Sequence, residues 1–164
     1  MQRQIRKGSQ GFTLIEILIV VIILGILAAI VIPQFTNASK EAKQSSLVTM
    51  VQSLRSQIAL FKLQHNDRLP GANPVVDSGG TFDETVFWNQ MTLFSDLNGA
   101  TQAAKDATHV YGPYMQSTPV NPLNNSSTVA AAAAAGVGFM YDYNGGDGSG
   151  KVWGVDANGA QIPQ

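Results

Sequence analysis

Cysteine is absent from all 164 residues. That excludes a disulfide framework and any thiolate metal site, so a folded part outside the cytosol must be held together by other means. Charge is scarce as well. Only 13% of residues are charged, about half the share of an average soluble domain. The formal net charge is -1, which gives no electrostatic reason to expect nucleic acid or an acidic partner. The two histidines, His65 and His109, stand in no metal-ligand spacing with each other, and both read as ordinary surface or boundary residues. No Ser/His/Asp grouping, Walker loop or HExxH is present. The glycine-rich "NGGDGSG" is no phosphate loop, because it lacks the lysine and precedes a strand-like run rather than a helix. An enzyme or solute-binding domain is the weaker class of reading, since nothing in the chain converges chemically.

One thing the chain has in excess is apolar length. Residues 12–32 contain only Thr13 and Glu16 as clearly polar side chains. Twenty-one helical residues at about 1.5 Å each match the hydrocarbon thickness of a bilayer. A cleaved secretory signal is the alternative. Its apolar region is usually about 7–15 residues and ends at a small-x-small site, whereas this run is longer and Ala28-Ala29 gives no clean A-x-A. In front of the run, residues 1–11 carry Arg3, Arg6 and Lys7 and no acid; the remainder has 7 basic and 11 acidic residues, so loss of the head would leave -4. Charge bias favours the head inside, although Lys40 and Lys43 follow the span at similar distance.

Glu16 is the anomaly in that run. An ionised side chain at mid-bilayer costs about 3 kcal/mol, which makes an intramembrane acid a functional candidate. The bland alternative places it near the interface, at a helix N-terminus whose dipole favours negative charge. Gly11 shifts the balance. A cut after Gly11 would remove the basic head and expose an ammonium group on Phe12. A carboxylate one turn along, on a laterally packed neighbour, is a natural partner for it. Two charges that are each costly in lipid become tolerable as a pair, in a defined stagger of subunits.

"GFTLIEILIVVIILGILAAIVIPQF" closely resembles the class III signal of type IV pilins and type II secretion pseudopilins. The resemblance implies that a membrane-embedded prepilin peptidase cuts between Gly11 and Phe12 and methylates the new N-terminus of Phe12. It further implies that Glu16 aligns each incoming subunit, and that Pro33 is the point at which the helix bends or unwinds in filaments. "YGPYMQSTPVNPLNNSS" is similar to the G-P-Y-L…P-x-D-P region of major pseudopilins, and "GFMYDYNGGDGSGKVWGV" to their terminal strand and turn. Asn121 departs from the aspartate usual there, and the alanine run at 130–135 has no counterpart. The implied partners are further copies of the chain, prepilin peptidase, an inner-membrane assembly platform and minor pseudopilins, with the C-terminal region periplasmic or extracellular. No nucleic acid is expected, because basic residues beyond Arg55 are sparse.

Beyond Pro33 the pattern stays helical. Phe35, Ala38 and Ala42 are followed, after Ser45-Ser46, by Leu47, Val51, Leu54, Ile58 and Phe61, an apolar stripe spaced 4, 3, 4, 3. The helix should end near His65-Asn66. Thr81-Phe82-Asp83-Glu84 reads as a capping box, opening a helix that buries Phe87, Met91 and Phe94 and stops at Asn98-Gly99. Runs 139–143 and 151–155 flank the glycine-rich turn as a hairpin, with a further pairing expected around 111–115. The alanine run reads either as a turn of helix or as a low-complexity loop. The expected organisation is a leader over 1–11, a membrane or filament-core helix over 12–32, its amphipathic continuation over 33–66, and a globular region over 67–164. The fold class is α+β: one long helix on a small antiparallel sheet with much loop.

Asp142, Asn144 and Asp147 remain as a calcium question. Oxygen ligands two to three apart in a glycine-rich turn suit that ion, and the resemblance implies calcium in a C-terminal loop, with Asp147 in a similar setting. A plain hairpin turn calls for the same residues. Apart from that ion no cofactor is expected. The chain reads as a filament-forming structural subunit, preferably of a type II secretion machine, with a surface-pilus pilin and a DNA-uptake pseudopilin as alternatives.

Overall fold

The computed structural model describes residues 11–71, 82–143 and 150–163. It divides into two compact units, 1–41 and 42–164. One helix, α1 (Leu14–Gln64), holds most of the first unit and enters the second. In the first unit nothing among the described residues covers it: every large apolar side chain from Phe12 to Ile32 is between 40% and 85% exposed. Phe35, the start of the expected stripe, is also exposed.

In the second unit the stripe is buried as its spacing predicts. Leu47, Val51, Leu54, Ile58 and Phe61 are each at most 2% exposed. They share one face because residues three and four apart line up on a helix. α1 stops where Asn66 and Asp67 take left-handed φ values of 54° and 61°. Short polar side chains tolerate that conformation better than most, and the Asp67 N–H closes the end by donating to the Lys62 carbonyl.

Against the stripe lie α2 (Glu84–Thr92), a hairpin of β1 (Phe94–Ser95) and β2 (Thr101–Gln102), and a sheet of β3 (Val129–Ala130), β4 (Phe139–Tyr141) and β5 (Val152–Gly154). Phe87 and Met91 from α2 join Phe139, Tyr141 and Val152 in the core. β4 and β5 pair antiparallel, Met140 opposite Trp153, as the hairpin pattern predicts. β3 joins β4 in parallel, so this sheet is mixed rather than purely antiparallel. The expected pairing near 111–115 is a single bridge between Tyr111 and Ser95.

Two sequence expectations change. The N-cap of α2 is Asp83, whose carboxylate accepts from the Thr85 and Val86 N–H groups; Thr81 lies outside the described residues. The helix ends at Thr92 rather than Asn98-Gly99, and Phe94 belongs to β1. Asn-Gly is also a hairpin signal, and here it acts as one. Gly99 has φ 88°, and the Asp96 carboxylate accepts from Asn98 N and Ala100 N to close the β1–β2 turn. The alanine run splits in the same way: Ala130 sits in β3 and the rest is loop, with Val137 N donating to Ala134 O.

Leu54 is fully buried at the centre of the stripe. Leu54→Ala should therefore cost about 2–5 kcal/mol, read as a lower urea midpoint for the chain in detergent. Ser53→Ala, on the exposed side, should move stability by about 0.5 kcal/mol or less.

Candidate functional site

Thr13 and Glu16 form the start of α1. The Thr13 N–H and hydroxyl both donate to Glu16 Oε2 at 2.8 Å, and Glu16 N–H donates back to Thr13 Oγ1 at 3.3 Å. This is a reciprocal capping box, with each side chain satisfying the other's backbone donor. The T-L-I-E spelling is the S/T-x-x-E signature, and sequence reasoning applied that signature only to residues 81–84. Glu16 therefore has a task within its own chain. Its other oxygen, Oε1, takes no hydrogen bond from the described residues, and nothing buries the site. Gly11 and Phe12 precede the first helical turn, with Phe12 83% exposed. A cut between them would place an amine one residue ahead of the Thr13 cap. Pro33 lies inside α1, which continues through it. Having no N–H, it leaves the Ala29 carbonyl without its helical donor.

The second unit holds a sealed polar cluster. His65 is fully buried, against the expectation of a surface or boundary position, because its ring completes the stripe four residues after Phe61. The two rings stack at 3.8 Å. His65 Nδ1 meets the Phe61 carbonyl at 2.8 Å and Nε2 meets Ser95 Oγ at 3.0 Å. A carbonyl can only accept, so Nδ1 carries the proton and the neutral ring accepts from Ser95 at Nε2. Tyr114 O–H donates to Gln64 Oε1 at 2.6 Å, tying the same helix end to the following loop. Burial pushes the Tyr114 hydroxyl up to about 12, against an opposing hydrogen bond with Ser95. Burial likewise lowers the pKa of His65. The Phe61 carbonyl and the Asp96 backbone and charge oppose that shift, and the Arg68 charge adds to it. A Ser–His contact of this length occurs in hydrolases. Here Ser95 and His65 are both fully buried, and the third group is a backbone carbonyl. His109 is a boundary residue, 3.0 Å from Asp106 Oδ1 in a surface loop.

Comparison with known proteins turns on the N-terminus. The prokaryotic N-terminal methylation motif matches residues 6–32. Over 120 residues, 73% of this chain and 71% of the relative, the sequence is 27% identical to the type II secretion system core protein G of Aeromonas hydrophila. It is 38% identical to the Dickeya chrysanthemi protein of that name, over 39% of this chain and 41% of the relative. It is 32% identical to the type IV major pilin protein PilE1 of Neisseria gonorrhoeae, over 48% and 39%. The chain is a pilin-like protein. Its matches to the Dickeya and Neisseria proteins span less than half the length of each. No solved structure matches it significantly. The exposed apolar helix and the methylation motif of this pilin-like chain fit a membrane-anchored pseudopilin.

Of the calcium candidates, Asp142 follows β4, with its N–H donating to the Lys151 carbonyl. Asn144 and Asp147 lie outside the described residues. Among the described residues no three His, Cys, Asp or Glu side chains gather as metal ligands.

The buried histidine gives this pilin-like chain a pH signature. Unfolded, His65 takes up a proton near pH 6.5; folded, it resists until a lower pH. Its contribution is fully present above about pH 6.5 and declines as pH falls toward the folded pKa. Melting temperatures between pH 7.5 and 5 should therefore drop more for the wild-type chain than for His65→Gln. Parallel curves would show that His65 does not titrate with folding.

Proposed function

We propose that the chain is a filament-forming structural subunit of a type II secretion-type envelope machine, made as a precursor. Prepilin peptidase cleaves between Gly11 and Phe12 and methylates the new amine, and the processed subunits polymerise to drive export. The observation that carries this reading is the placement of Glu16. It stands one turn past that bond, at the head of an apolar helix that its own chain leaves bare. Thr13 occupies one carboxylate oxygen, which fixes the side chain's direction. The other oxygen is left to accept the methylated ammonium of a neighbouring copy. Register follows from chemistry, because only one stagger neutralises both charges in lipid. Pro33 weakens the hydrogen-bond ladder at one point, so α1 bends or unwinds there as copies pack.

The partners under this reading are further copies, prepilin peptidase, an inner-membrane assembly platform and minor pseudopilins. The chain crosses the inner membrane once, with its C-terminal region periplasmic. Assembly requires no nucleic acid. Similarity to core protein G over 120 residues supports the secretion machine, whereas the PilE1 match over 83 residues supports a surface pilus as the second reading. Loss of folded-protein export on deletion of the gene, with motility and adhesion unchanged, selects the first.

Calcium belongs to this proposal only as an addition at Asp142, Asn144 and Asp147. A rise in melting temperature with millimolar calcium is the expected sign, and an unchanged temperature removes the ion from the proposal.

The intact mass of the protein recovered from membranes should correspond to a chain starting at Phe12 and heavier by one methyl group. Glu16→Ala should retain that mass and lose assembled filaments. A chain starting near Ile30 would overturn the filament reading, and normal filaments from Glu16→Ala would overturn the register role.

A further inference from the structure

Arg55, Ile58, Ala59 and Lys62 fall at i, i+3, i+4 and i+7 on α1 and share one face. With Gly150 and Lys151 they line a cleft of about 330 Å³. Three of its six lining residues are cationic, and no carboxylate stands among the described ones. Arg55 is held in place from two sides. Its Nε and Nη2 donate to the Val152 carbonyl at 2.8 and 2.5 Å, and its guanidinium lies 5.8 Å over the Trp153 ring. Its remaining N–H groups are still available to a ligand. Lys62 makes no side-chain hydrogen bond or ion pair among the described residues. The floor is apolar: Ile58 is 2% exposed. At Gly150 a Cβ would sit 2.5 Å from Leu69 Cδ2 and 3.2 Å from Ile58 Cγ2. The cleft thus joins a fixed guanidinium, an ammonium and a dry floor, a combination that suits a carboxylate.

Charge distribution names the source. Residues 42–164 contain six basic and nine acidic side chains, and half of the basic ones line this cleft. The rest of that surface is therefore strongly acidic. We propose that the cleft receives a surface carboxylate from a second copy of this chain, an inter-subunit contact separate from the one at Glu16. Donor and acceptor patches differ, so the contact is heterologous and propagates from copy to copy rather than closing a dimer. This rests on the reading of the chain as a polymerising subunit.

The test uses the full chain in membranes, prepared as a mixture of ¹⁵N-labelled and unlabelled protein and treated with a zero-length carboxyl-to-amine cross-linker. Mass spectrometry should find Lys62 or Lys151 of one isotope joined to an Asp or Glu of the other. The double variant Lys62→Gln with Lys151→Gln removes both reactive amines, so it is read by filament yield, which should fall roughly fivefold, as for a pair of modest energy. Lys62→Arg should keep the filaments of the wild-type chain. Links only within one isotope, or filaments and total dimer untouched by the double variant, would overturn the proposal. Wild-type filaments without mixed-isotope links remove the cleft contact alone, whereas absence of both removes the polymer reading with it. Pyrophosphate binding at the cleft with no mixed-isotope link would reassign it to a small anion.

Discussion

Apolar surface that its own chain does not cover is the constraint from which the rest follows. From Leu14 to Ile32 α1 presents Leu, Ile and Val on every side. Burial of such side chains is worth roughly 1.5–3 kcal/mol each, so water is not a stable environment for this segment. Lipid meets the demand with no specificity, and neighbouring helices meet it with a geometry. In the proposed filament, the one carboxylate in the segment makes the second solution directional, because a charge must meet its partner in one register. The Thr13–Glu16 capping box keeps that carboxylate at the helix end without occupying both of its oxygens.

The second unit solves the opposite problem, holding a small fold together with no disulfide. It does so with buried polar side chains that clip loops to helices. Gln90 accepts from Gly71 N–H and donates to the Gly99 carbonyl, pinning the ends of two loops to α2. Trp88 donates to the Ser127 carbonyl, and the Glu84 carboxylate accepts from Val129 N–H. His65 and Ser95 do the same between the turn that ends α1 and β1. Each such bond nets only about 1 kcal/mol, but losing one partner leaves a buried group unsatisfied at greater cost. A loop-rich region becomes unique in structure through these penalties.

What was legible in the sequence was periodic or locally spelled. The Leu47–Phe61 stripe and the β4–β5 hairpin could be read directly, because spacing alone decides which side chains share a face. Gly11, Phe12 and Glu16 could be singled out because a charge is conspicuous in an apolar run. Tertiary contacts were not legible. His65 was misread because a lone histidine carries no periodic signal unless it is counted as the next step of the stripe. Phe94 was misread because Asn-Gly can end a helix or turn a hairpin, and the bonds between Ser95 and Tyr111 decide it. The parallel partner of β4 was not legible either, since two residues of β3 are too short to alternate.

Asn121 shows how a departure from the pseudopilin pattern can be internally consistent. It is fully buried. Its amide nitrogen donates to the carbonyls of Gly138 and Val155, both at 2.7 Å, while its oxygen accepts from Leu123 N–H. Those carbonyls flank β4 and β5, so one side chain ties the end of the hairpin to the loop before β3. An aspartate could supply the acceptor but neither donor, and its charge would face two carbonyl oxygens. The backbone around this position therefore requires an amide. A second amide, Asn124, donates to the Val137 carbonyl beside it. Converging carbonyl oxygens are also how proteins hold hard cations. Here two neutral NH₂ groups fill that electrostatic role, and this corner of the fold is satisfied by the chain itself.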